Sequence, residues 1–199
     1  MRKFVTGAAL TGLMAVAAAP ALASSHGGGI PASDKMALKK EAKTVIKDFF
    51  TQLKGELQAA MQSGGAVEAI SVCNEKAPRI AANVSGKHGW DIGRTSLKLR
   101  NLDNAPDPFE LKALKMFEEK RAQGANPKKL AYAEVVEQDG QPTFRLMKAI
   151  PTGEICLTCH GRDVDPEVQA KLDALYPHDS ATGYDKGDIR GAFTLQKAL

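Results

Sequence analysis

Cysteine is scarce in this chain. Among 199 residues there are three: Cys73 alone in SVCNEKAP, and Cys156 with Cys159 in EICLTCHG. Cys73 has no obvious partner, so no disulfide framework of fully paired cysteines is available. No second CxxC or His pair exists, which leaves a structural zinc site short of its four ligands. The βαβ frame that normally carries a redox-active CxxC is missing as well. After residue 23 no stretch is apolar enough to cross a bilayer, and no internal repeat is visible. Charge of one sign does not dominate either.

The N-terminus explains part of the charge that is present. Met1-Arg2-Lys3 is a short basic start, and Phe4 to Ala19 is an uncharged apolar run. Pro20 breaks it, and Ala21-Leu22-Ala23 offers the small residues that a signal peptidase reads. The pattern predicts a secretory signal over 1–23, cleaved after Ala23, and a periplasmic mature protein without stable membrane insertion. An uncleaved anchor fits less well, because the run is Ala/Gly-rich and shorter than a span needs. Losing Arg2 and Lys3 takes two from the formal +4 and leaves +2. So interspersed a balance makes no case for nucleic acid or a polybasic membrane patch.

Residues 24–32 read as a flexible lead-in, and 33–199 as one domain. Ser33 or Asp34 is expected to cap a long helix to about Met61, with Leu38, Ala42, Val45, Ile46, Phe49, Leu53, Leu57 and Ala60 on its apolar face. Gly64-Gly65 ends it. A second helix, Ala66 to Val84, carries Ile70, Cys73, Ala77, Ile80, Ala81 and Val84 on one side, and Pro78 splits or kinks it. Cys73 is thereby expected to point inward. Trp90 to Arg100 allows a short strand, and Asn101 to Pro108 is turn chemistry. Asp107 can cap a helix from Phe109 to Gln123. Leu130–Glu137 and Thr143–Ile150 read as strands joined through Asp139-Gly140, a strong hairpin signal. A helix near Pro166–Leu175 and a strand near Ile189–Leu195 follow. The fold class is α+β, an antiparallel sheet covered by helices.

Cys156-Leu157-Thr158-Cys159-His160 is the attachment pattern of c-type haem. Two thiols three positions apart reach the two vinyl groups of one porphyrin, and the adjacent His160 offers a nitrogen to the iron. With both motif cysteines used, Cys73 is either a small buried hydrophobe or a thiolate completing the iron's coordination. Other candidates for that position are weaker. No methionine follows Met147; Met116 and Met147 suit the core; His178 and His88 look like turn residues; His26 lies in the lead-in. Arg94, Arg100 and Arg190 are candidates for contacts to the two haem propionates, whose carboxylates match guanidinium forks.

Several motifs together resemble a known family, a bacterial periplasmic haem-c domain with a PAS-like fold that also occurs as the sensory part of longer signalling proteins. The resemblance rests on Val72-Cys73 with Ala77-Pro78, Gly89-Trp90, Arg94-Thr95-Ser96-Leu97, Arg100-Asn101 and Asn104-Ala105-Pro106-Asp107. It continues through Cys156–Gly161, Tyr176-Pro177-x-Asp179-x-Ala181-Thr182-Gly183-Tyr184 and Gly187-Asp188-x-Arg190-Gly191-Ala192-Phe193. It implies one covalent haem c on Cys156 and Cys159, with His160 and Cys73 as the axial ligands. No fused output domain is expected.

A thiolate ligand favours ferric iron, and reduction weakens its bond. A redox or diatomic-gas sensor is therefore expected, acting on a redox or signalling partner protein. The alternative is a soluble periplasmic electron-transfer cytochrome with fixed ligands. No enzymatic role is expected, since the cysteine would fill the position a substrate needs. A four-helix cytochrome c′ also carries CxxCH late in its chain, but it has no place for the Leu130–Ile150 hairpin.

Overall fold

The computed structural model describes residues 30–199. The expected signal segment and most of the lead-in, with His26, lie outside the described residues. Among these, no helix is long and apolar enough to cross a membrane.

Helix α1 runs Ala32–Ser71. It begins two or three residues earlier than the expected cap at Ser33 or Asp34 implies. Pro31 is the N-cap and no side chain caps the end, while Asp34 sits in the first turn, where the helix dipole favours an anion. Gly65 adopts φ 70°, ψ −161°, which breaks the helix without ending it. The glycine pair thus makes a kink, not a terminus, and helix resumes at once toward Ser71.

A five-residue π-helical turn, Val72–Lys76, then leads into α2, Ala77–His88. Pro78 is the cause. It has no N–H to offer the Asn74 carbonyl, and its ring would clash there, so the turn widens. The Ala77 N–H accordingly bonds to the Val72 carbonyl, five residues back. That extra residue corrects the expected orientation of Cys73. Val72 is buried at 2% exposure and takes the core position; Cys73 is rotated off it and only half-buried.

The sheet contains β1 (Asp91–Thr95), β2 (Ala131–Gln138), β3 (Gln141–Pro151) and β4 (Ile189–Ala198). Its order is β1-β4-β3-β2, antiparallel throughout. Asp139 and Gly140 have φ 53° and 76°, the left-handed pair that a tight hairpin between β2 and β3 requires. β1 is shorter than the alternation from Trp90 to Arg100 allowed.

Period-two alternation sorts the core onto both faces. Phe144, Leu146, Phe193, Leu195 and Ile92 pack against Leu38, Val45, Phe49, Ile80 and Val84 of α1 and α2. Met147, Ala149 and Ala192 face Ala113, Leu114 and Phe117 of α3, Pro108–Ala122. A capping box holds the start of α3, with Asp107 Oδ1 accepting from the Glu110 N–H at 2.9 Å and Glu110 Oε2 accepting from the Asp107 N–H at 3.1 Å. After β3 come a 3₁₀ turn (Glu154–Cys156), the single turn α4 (Leu157–His160) and α5 (Pro166–Leu175). The result is the expected α+β architecture, an antiparallel sheet with a long N-terminal helix and flanking helices.

Candidate functional site

The end of β3, the end of β1 and the start of β4 meet at one end of the sheet, and the CxxCH turn lies across it. Gly161 makes the exit from that turn possible. A Cβ there would stand 2.6 Å from the Leu157 carbonyl oxygen, so only glycine lets the chain turn back so tightly. The segment then zips to the loop before β4, with Gly183 N–H bonding to Gly161 O at 2.8 Å and Tyr184 N–H to His160 O at 3.0 Å.

These bonds fix His160. Its Nδ1 lies 2.7 Å from the Ala181 carbonyl, an acceptor, so the proton sits on Nδ1 and the lone pair on Nε2. Burial, then Arg190 and Arg100, push its pKa down to about 2. The imidazole is therefore neutral at physiological pH, the form that ligates metals. Tyr184 meets it edge-on at 6.3 Å.

The kinked end of α1 closes the site from the other side. Cys159 packs with Ala66, Val67 and Ile70 of α1 and with Val168, Leu172 and Tyr176 of the α5 region. Cys73 follows two residues after Ser71, in the π turn. Burial pushes the Cys159 thiol up, Arg100 opposes this, and Cys73 and Cys156 beside it push further up. The lone cysteine and the paired motif, far apart in sequence, thus lie near one another. Buried Tyr176 lies beside Asn74 and Cys73; burial raises its pKa, the Asn74 side chain lowers it, and Cys73 adds to the rise.

Three arginines converge on the same place. Arg100 is committed internally: Nε and Nη2 bind Asp179 at 3.0 and 2.9 Å, and Nη2 donates to the Cys159 carbonyl at 2.6 Å. Its role is to hold the motif turn. Arg190 Nη1 bonds Ser96 Oγ at 3.1 Å and the Lys98 carbonyl at 3.3 Å, while its Nε lies against the His160 ring, 3.2 Å from Nδ1 and 3.4 Å from Nε2. Arg94 lies 5.8 Å over the Phe49 ring. Among the described residues neither Arg94 nor Arg190 has a carboxylate partner. Burial drives the Arg190 pKa down, and Arg100 and Arg94 add to that effect against Tyr184.

Other candidates lie elsewhere. Met147 is fully buried under α3 with Met116 beside it, His88 is bonded to Asp48 at 2.8 Å, and His178 is exposed. Sequence reasoning missed the roles of Asp179, the Ala181 carbonyl, Tyr176 and Tyr184. All four fall in the Tyr176–Tyr184 motif, whose density of Tyr, Pro, Asp and Gly was the available signal.

Fold and site together define an α+β sheet-and-helix domain in which a CxxCH turn confronts a third cysteine. The chain belongs to the Tll0287-like family, whose profile matches residues 32–197. It is similar in fold to the cyanobacterial heme-protein Tll0287, whose crystal structure aligns with a TM-score of 0.58 at 19% identity, covering 85% of this chain and 98% of that one. No curated protein matches.

Proposed function

We propose that this chain is an exported haem-c protein, with Cys156 and Cys159 as the thioether sites, His160 and Cys73 as axial ligands, and redox or diatomic-gas sensing as its task. The observation that carries the proposal is a third thiol, Cys73, near enough to the CxxCH turn to perturb Cys159, in a site with a neutral, Nδ1-anchored imidazole. The donor set suits the group. Two thiols three positions apart suit the two vinyl groups, one imidazole offers Nε2, and one further thiol lies nearby. Arg94 and Arg190, partly or largely buried without counter-ions among the described residues, supply the cations that two propionates need. Arg100, already bound to Asp179 and the motif backbone, serves as a clamp instead.

The bound group would supply a redox-active iron whose hold on a sulfur anion weakens on reduction. The chain's own part is mechanical. Cys73 stands on a π turn bracketed by the Gly65 kink and Pro78, so the segment from Ala66 to Lys76 is jointed at both ends. A released Cys73 would leave the jointed segment free to repack against Cys159, Leu172 and Tyr176. A signalling partner would read that movement. An electron carrier, by contrast, would keep both ligands in both redox states.

Mass spectrometry of the exported protein is expected to show one covalent porphyrin. Electron paramagnetic resonance of the ferric protein should show low-spin thiolate features that vanish in Cys73→Ala. An unchanged spectrum in that variant removes Cys73 from the iron. Reduced protein that refuses CO and stays six-coordinate across pH overturns the sensor in favour of the carrier.

A further inference from the structure

Sequence composition offers no basic patch, yet α1 builds one. At 100° per residue, Met36, Lys40, Lys43, Lys47, Phe50 and Lys54 fall within about 40° of a single line along the helix. The line runs about 27 Å at 1.5 Å per residue. All six residues are exposed, Met36 at 70% and Phe50 at 47%. The acidic residues Glu41, Asp48 and Glu56 lie about 120–200° round the helix from Met36. There they are used up, paired with Lys197, with Lys87 and His88, and with Lys76. None of the four stripe lysines has an ion pair among the described residues. The crowding extends to the sheet, where burial and then Lys43 lower the pKa of Lys148.

We infer that this stripe docks the protein on an anionic lipid surface. A straight, convex row with an apolar side chain near each end can touch a plane along its whole length. Its cations are lysines only, without arginine. Lysine is a hydrated point charge on a flexible stem, suited to diffuse attraction by headgroups while Met36 and Phe50 enter the interface. An acidic protein face would more naturally meet arginine forks and a compact apolar centre. The inference is independent of what occupies the cysteine site.

The test is co-sedimentation of the exported, purified protein with vesicles of phosphatidylcholine, with or without one-third phosphatidylglycerol. Wild type should pellet with the anionic vesicles at low salt, remain in solution with pure phosphatidylcholine, and be released by high salt. K43Q/K47Q should lower partitioning by about 25-fold, roughly fivefold per lysine. K115Q/K120Q removes the same charge from α3 on the opposite sheet face and should change it by less than about twofold. M36S/F50S should weaken binding with the salt dependence preserved. Equal losses from both lysine pairs would overturn the inference, as would wild type that ignores anionic vesicles. In the latter case, retention on immobilised polyglutamate that K43Q/K47Q abolishes would give the stripe to an acidic protein face instead.

Discussion

Replacing Arg100 by alanine is expected to unfasten the candidate site from the sheet. Arg100 and Asp179 are 9% and 5% exposed at their side chains, so the ion pair is almost wholly withdrawn from water. Removing the cation leaves Asp179 buried without its partner and frees the Cys159 carbonyl from its 2.6 Å bond. Breaking a buried pair from one side costs about 3–5 kcal/mol. For a domain of this size that lowers Tm by about 6–20 °C. Urea unfolding followed by far-ultraviolet dichroism measures the loss. Arg100→Ala/Asp179→Ala should recover part of it, because no charge is then stranded, and the double-mutant cycle should give a coupling of more than about 1 kcal/mol. The conservative Arg100→Lys should fail to restore stability, since an ammonium cannot reach Asp179 and the Cys159 carbonyl together. A loss below about 1 kcal/mol, or strictly additive single mutants, would refute the claim that this pair is buried and clamps the motif.

Pro78→Ala should let the π turn revert to α-helix, rotating Cys73 by about 100° and weakening the thiolate features in the ferric resonance spectrum; an identical spectrum would show that Pro78 does not set the turn. Gly191→Ala would drive a Cβ into the Thr95 carbonyl and against Ser96, costing about 1–3 kcal/mol by overpacking, which urea midpoints would register. The Asp48 carboxyl is held well below the usual carboxylate range by Lys87, then by His88 and Gln52. Its contribution to stability is therefore full at neutral pH and declines as pH falls below that range. Asp48→Asn should show a flatter acid limb in a plot of urea midpoint against pH, and parallel curves would contradict this.

Much of the fold is legible in the sequence because its signals are local. Asp107 with Glu110 and Pro108 announces the start of α3, Asp139-Gly140 the hairpin, and the three- and four-residue recurrence of Leu38, Val45, Phe49 and Leu53 the buried face of α1. Each depends on residues within a turn or two of one another. The CxxCH turn is legible for the same reason, since its spacing is fixed by one short segment. Helix ends and phases are less so: Pro78 announces a break, but whether the chain kinks, stops or widens into a π turn depends on what the following helix packs against.

The sequence alone therefore determined most of the elements, the α+β class and the position of the CxxCH segment. Only the tertiary structure decided that β1 lies beside β4, that Cys73 lies near Cys159, and that Arg100 spends its donors on Asp179 and the motif backbone. It also decided that Glu41, Asp48 and Glu56 of α1 pair with β4, α2 and the π turn, while its lysines have no ion pair among the described residues. The physical reason is range. Backbone and capping preferences act over a few residues, whereas strand order, buried ion pairs and shared sites come from contacts across the whole chain, whose closure no short pattern encodes.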